Sequence, residues 1–202
     1  MSREVDFIIV DLETMDVYPS AVILSLGICS GNWGDETFDS LLFEGKEYIF
    51  KAKQQVTNHR RTVNQGTVDW WNKQGEEAQH IFKSSDKYDI EDLPTLLWDY
   101  VQDNNLKRGG MVLARGPHFD IPMIDDVCRD MEIDSPFPWY AIRDVRSIID
   151  TIYGTTNGYP PNKKEFLNRM SSEHSLVKHN ALHDCIIDAL MIQEAYEGIE
   201  YE

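Results

Sequence analysis

Cysteine is scarce. Cys29, Cys128 and Cys185 are the only three in 202 residues, and they are far apart with no Cys-x-x-Cys pair, which excludes a disulfide framework and a thiolate zinc site. They are expected as small buried residues. Positive charge is also in short supply. Nineteen lysines and arginines face 35 acids, a formal charge of −16, whereas a protein that grips long duplex by neutralising phosphates has the opposite balance. An acidic chain can still act on nucleic acid where contact is short and centred on bound cations, so any such footprint is small. Long apolar runs are missing as well. Phe7–Val10 and Ala21–Ile28 are the longest, against the roughly 20 residues a bilayer span needs, and no membrane partner is expected. The first of these runs follows Arg3, Glu4 and Asp6 and is too brief for the apolar region of a secretory signal, so a cytoplasmic location is expected. Repeats and low-complexity tracts are absent too, and the length suits one hydrophobic core, giving a single domain over residues 1–202.

What is present is a run of short β-rich segments followed by alternating helical and strand patterns. Phe7–Val10, Ala21–Cys29 and Thr37–Phe43 read as strands, the last two joined by the turn-like Gly31-Asn32-Trp33-Gly34-Asp35, and a short strand is expected near Tyr48–Ala52. Helical spacing follows at Val68–Lys73 and Leu93–Val101, then a strand at Met111–Ala114 and a helix over Ile121–Met131. A strand near Trp139–Ile142 leads to a helix over Val145–Tyr153, and Gly154–Lys164, with its Pro160-Pro161 pair, reads as a loop. Leu182, Ile186, Ala189, Ile192 and Tyr196 recur at spacings of three and four, which predicts a closing amphipathic helix. The order implies an α/β fold whose mixed sheet opens with antiparallel strands, continues with parallel ones, and carries helices on both faces.

Asp11 and Glu13 follow directly on the first strand, where a period of two puts both carboxylates on one face with Leu12 turned away. Taken alone, the pair reads better as a strand end frayed into solvent. Asp120 falls where the chain leaves a strand and enters a helix, a position from which a carboxylate also caps exposed N–H groups. Asp184 lies in the first turn of the closing helix with Asp188 four residues on, and His179 stands just before it. His183, at about 100° per residue, points elsewhere. Asp184 and Asp188 read on their own as a solvated helix face.

The combination is more specific. Asp-Leu-Glu-Thr at 11–14, Gly-Pro-His-Phe-Asp at 116–120 and His-Asn-Ala-Leu-His-Asp at 179–184 share the order and spacing of the DEDDh exonucleases, and the chain resembles that superfamily over about Phe7–Tyr196. The His179-x4-Asp184 interval matches its histidine branch. Asp69-Trp70-Trp71-Asn72-Lys73-Gln74 and Arg143-Asp144-Val145-Arg146 are similar to elements of the exonuclease A type of large phages and its bacterial exoribonuclease relatives. His183 stands where those relatives more often carry an acid.

The resemblance implies a ribonuclease H-like fold and 3'-5' hydrolysis of single-stranded nucleic acid, with two Mg²⁺ or Mn²⁺ ions held by Asp11, Glu13, Asp120 and Asp184. It further implies that Asp11 bridges both ions, Glu13 and Asp184 complete one site, Asp120 acts through water on the other, and neutral His179 is the general base. Hard oxygen ligands suit those cations. Thr14, Phe119, Trp70, Trp71 and Arg146 are the candidate substrate contacts, the aromatics by stacking on terminal bases. Arg60, Arg61, Lys163 and Lys164 read as solvated surface. The phage likeness favours DNA over RNA, and a homodimer stays open. A non-catalytic module on the same fold is the reading of another class, but it has no need of four clustered acids.

Overall fold

The computed structural model describes residues 2–85 and 87–199; Met1, Asp86 and residues 200–202 of the expected single domain lie outside the described residues. The chain runs β1 (Arg3–Thr14), β2 (Ile23–Gly31), α1 (Phe38–Glu44), β3 (Lys46–Ile49), α2 (Ala52–His59), α3 (Gln65–Trp71), α4 (His80–Lys83) and α5 (Leu93–Asp103). It continues with β4 (Asn104–Ala114), α6 (Pro117–Asp130), β5 (Ile142–Asp144), α7 (Val145–Tyr153), α8 (Lys163–Glu173) and α9 (Ala181–Glu197).

The apolar run Phe7–Val10 forms the middle of β1 and is buried throughout, because both faces of this central strand are covered. The sheet order is β3-β2-β1-β4-β5. β1 and β3 each pair antiparallel with β2, while β4 pairs parallel with β1 and with β5. The result is the expected mixed sheet, antiparallel strands first and parallel strands after. Ile8, Val10 and Leu12 pack on one face against Leu93 and Leu97 of α5 and Ile124 and Val127 of α6. Phe7 and Ile9 pack on the other against Ile149 of α7, Phe166 of α8, and Ile186 and Ile192 of α9. Asp11 and Glu13 share the parity of Phe7 and Ile9, so their side chains leave the sheet on the α9 face. All three cysteines are buried and free.

Several segments differ from expectation for physical reasons. Thr37–Phe43 is the cap and body of α1, not a strand. The Thr37 side chain accepts from Ser40 N while Ser40 Oγ accepts from Thr37 N, and Phe38 and Leu41, three apart, both enter the core; one face of a strand cannot bury that spacing. The opening hairpin is instead β1–β2, closed by residues 15–22. The strand expected near Tyr48–Ala52 lies at Lys46–Ile49, and Ala52 already begins α2. Trp139–Ala141 is a single 3₁₀ turn whose Trp139 is 83% exposed, and the strand follows it at Ile142–Asp144. Helices α2, α4 and α8 arise where only a few side chains are buried: Gln55, Ile81, and the pair Phe166 and Met170. Such sparse patterns carry little periodicity.

Candidate active site

Strand β1 presents Asp11 and Glu13, with Leu12 between them buried in the opposite core. Gly116, at φ 94°, turns the chain from β4 into α6, with Pro117 at the first helical position and Asp120 in the first turn. Asp120 does not serve as a cap: its Oδ1 accepts from Leu12 N at 3.1 Å, tying α6 to the backbone between the two β1 acids. Helix α9 delivers Asp184. Asn180 caps it by accepting from His183 N at 2.9 Å and is itself held by Glu47 Oε2 on β3 at 2.9 Å. Just before the cap, His179 takes a left-handed conformation, φ 58°, which turns its ring back so that Nδ1 lies 3.7 Å from Glu13 Oε1.

The four carboxylates and His179 line one cavity of about 440 Å³, together with Phe119 and Arg146. Removing carboxylates from water and crowding them disfavours their charged forms. Burial, then repulsion from Asp120 and Asp184, raises the Asp11 carboxyl well above the usual range. The same causes, burial first, lift Glu13 to about 8. Burial leads the rise of Asp120 to about 7 and of Asp184 to about 7, Asp188 adding to the latter while Arg115 opposes it. A buried set of oxygen donors that repel one another fits divalent cations, which offset the charge. Glu13, His179 and Asp184 each place one ligand atom within 4.8 Å of the others. Burial and the neighbouring Lys178 lower the His179 pKa from its ordinary value, keeping the ring neutral.

The candidate substrate residues divide. Phe119 and Arg146 line the cavity, and the Arg146 guanidinium forms no hydrogen bond or ion pair among the described residues. Trp70 is 40% exposed and meets the His179 ring edge-to-face at 4.7 Å. Trp71 requires a correction. It is 2% exposed, and its indole N–H donates to Thr14 O, so it braces the end of β1 and has no face to offer a base. Thr14 is buried, with its hydroxyl donating to Asp16 O. Arg143 donates to Tyr140 O and Ile142 O outside the cavity. Arg61, expected as solvated surface, is 4% exposed and bonded to Ala21 O, Pro19 O and Asp126. His183 accepts from Val177 N and meets the Phe38 ring edge-on, away from the cavity that the four carboxylates line.

Two features escaped the sequence reading. Asp188 is not a solvated residue: it is 6% exposed and carries a bidentate ion pair with Arg115. Its spacing four residues after Asp184 was the available signal, since it puts a second acid on the same helical face. Glu47, which anchors the cap of α9, left no signal because its strand is short and polar.

The chain's residues 6–196 match a family model described as the 3'-5' exoribonuclease Rv2179c-like domain. A relative is the exodeoxyribonuclease of Enterobacteria phage T4, 29% identical over 218 residues that cover 94% of this chain and 88% of the relative. Among solved structures, S. pombe Pop2p in its Mg²⁺- and Mn²⁺-bound form superposes with a TM-score of 0.62 at 12% identity, covering 96% of this chain and 84% of the other. The nuclease domain of 3'hExo, a DEDDh family member bound to rAMP, gives 0.60 at 12% identity, covering 98% and 96%. These likenesses show the ribonuclease H-like fold.

Proposed function

Because the chain belongs to the Rv2179c-like 3'-5' exoribonuclease domain family, within the DEDDh exonuclease superfamily, we propose that it removes nucleotides singly from the 3' end of single-stranded nucleic acid, DNA preferred, in a reaction dependent on two divalent cations. The observation that carries this reading is the convergence of Asp11, Glu13, Asp120, Asp184 and His179 on one cavity. A cytoplasmic setting, in a bacterial cell or one infected by a phage, accords with the phage relative.

Asp11, Glu13, Asp120 and Asp184 would hold Mg²⁺ or Mn²⁺. Such ions, when bound, offset charge on the phosphate, lower the pKa of water and stabilise the departing oxygen. His179 takes the proton from the attacking water, for which its depressed pKa keeps a ring nitrogen free. A P–O bond forms to that water, the bond from phosphorus to the neighbouring 3' oxygen breaks, and a protonated 3'-hydroxyl and a nucleoside 5'-monophosphate result. Phe119 stacks on the terminal base, Trp70 closes the side next to His179, and Arg146 pairs with a phosphate oxygen.

A second reading, an exoribonuclease, is favoured by the description of the matching family; the carboxylates address the phosphodiester and serve either sugar. The test incubates 5'-labelled single-stranded DNA and RNA with the protein in EDTA, Mg²⁺ and Mn²⁺. A ladder shortening from the 3' end, only with metal, is expected, together with survival of closed single-stranded circles. Rapid cutting of circles would overturn the exonuclease reading, and faster loss of RNA than of DNA would select the second.

A further inference from the structure

A second groove, of about 500 Å³, lies beside α8 and the segment entering α9. It is continuous with the catalytic cavity, because Asp11, Arg115, His179 and Asp184 line both. Its own surface differs in chemistry. Leu167 and Leu176 give an apolar wall, and Lys163 and Lys178 supply positive charge in a chain of formal charge −16. Neither lysine forms a salt bridge among the described residues. Lys163 Nζ instead lies 3.1 Å from the centre of the Tyr159 ring, an ammonium held over an aromatic face. Arg115, the third cation of the groove, is already committed to Asp188 and Gly158 O. The lysines are therefore the charges left for a ligand.

An apolar wall with cations beside it suits a flat base joined to an anionic phosphate. The catalytic line separates two compartments, with Phe119 and Arg146 in one and Tyr159, Lys163 and Leu167 in the other. A phosphodiester held at that line carries a nucleoside on each side. On the proposed function, upon which this step rests, the Phe119 compartment receives the terminal nucleoside. We infer that the α8 groove is the site of the penultimate nucleotide, its base against Leu167 and Leu176 and its 5'-phosphate on Lys163.

The dinucleotides TpT and pTpT test this directly, because they differ only in the 5'-phosphate assigned to Lys163. Wild type is expected to favour pTpT in kcat/KM by about tenfold, the size of one charge-assisted contact, and Lys163→Gln to bring the ratio close to one. Ser171→Glu, a change at an exposed groove position on α8, places a repelling charge there and should lower the ratio as well while keeping the fold, as checked by its melting temperature. An unchanged ratio in both folded variants, or no preference in wild type, overturns the groove assignment while leaving exonuclease activity intact. Weaker inhibition by free dTMP in Lys163→Gln, with the ratio unchanged, would give the groove to the released nucleotide and overturn it too. Wild type that shortens no oligonucleotide under any metal condition overturns the proposed function itself.

Discussion

A histidine in the left-handed region is uncommon outside turns, and His179 holds that conformation between Lys178 and the cap of α9, with the Trp70 ring edge-on against it. His179→Ala removes the proposed proton acceptor and should lower kcat about 10²- to 10⁴-fold. Because burial lowers its pKa, the wild-type ring stays neutral to lower pH than an unperturbed histidine and is lost as a base when acid protonates it. Activity at saturating Mn²⁺ should therefore fall on the acid side, and that limb should flatten in the variant; a kcat within threefold of wild type would return the role to solvent. At this scale most of the site is legible in sequence, since Asp11, Glu13, Asp120, His179 and Asp184 stand in motifs whose spacing survives folding. The pairs that brace the elements around them are not. Arg115 and Asp188 lie 73 positions apart, Glu47 and Asn180 lie 133 apart, and pairing at such distances depends on topology that no local pattern encodes.

Helix α9 reaches the site only because β2 lets it approach. A Cβ built on Gly27 would stand 2.1 Å from Ala181 C and 2.3 Å from Leu182 N, backbone atoms that cannot rotate aside. Gly27 also pairs with Asp11 across the strands, so this tight helix–sheet contact is next to the carboxylates. Gly27→Ala must push out the start of α9, with His179 and Asp184 on it, and should destabilise by about 1–3 kcal/mol as overpacking does, with a fall in kcat exceeding that expected from the unfolded fraction. Gly75→Ala, in open space, is the control. Equal melting temperatures and equal rates for the two variants would dismiss the proposed constraint. Helices α9 and α7 are legible in sequence because their apolar residues recur at the helical spacing: most of the apolar positions of α9 are buried, and in α7 buried Val145 and Ile149 are joined by Ile148 and Tyr153, packed against the same core. Helix α1 is misread because its apolar residues follow a turn-like segment, and its capping pair Thr37 and Ser40 carries the information instead. Helix α8 has two buried residues in eleven, too few to set a period, although it forms the wall of the second groove.

Across the whole molecule, function opposes stability. The formal charge of −16 spreads repulsion over the surface, and the site concentrates it. Glu13 at about 8 and Asp120 and Asp184 at about 7 have folded pKa values above their unfolded ones. A raised carboxylate pKa means that the folded state binds more protons than the unfolded state over the interval between the two values, so metal-free stability declines as pH rises from about 4 to about 8. Asp11, raised by burial and by Asp120 and Asp184, takes part in that decline, and Asp11→Asn removes its charge while keeping its shape. In EDTA the variant should melt with wild type near pH 4, where the acids are protonated, and above wild type near pH 8, despite being inactive. Sodium chloride screens surface repulsion in both proteins alike. Mn²⁺ should act differently, because a ligand that binds only the folded form stabilises it by RT ln(1 + [L]/Kd), about 2.7 kcal/mol at a hundredfold excess over Kd. That shift should be large for wild type and small for Asp11→Asn, reversing their order at pH 8. Thermal melts of both proteins at the two pH values, in EDTA with added salt and in millimolar Mn²⁺, make the comparison without any substrate. Equal Mn²⁺ shifts would remove Asp11 from the proposed metal centre, and a wild type that melts above the variant in EDTA at pH 8 would show that the carboxylates are not strained against one another.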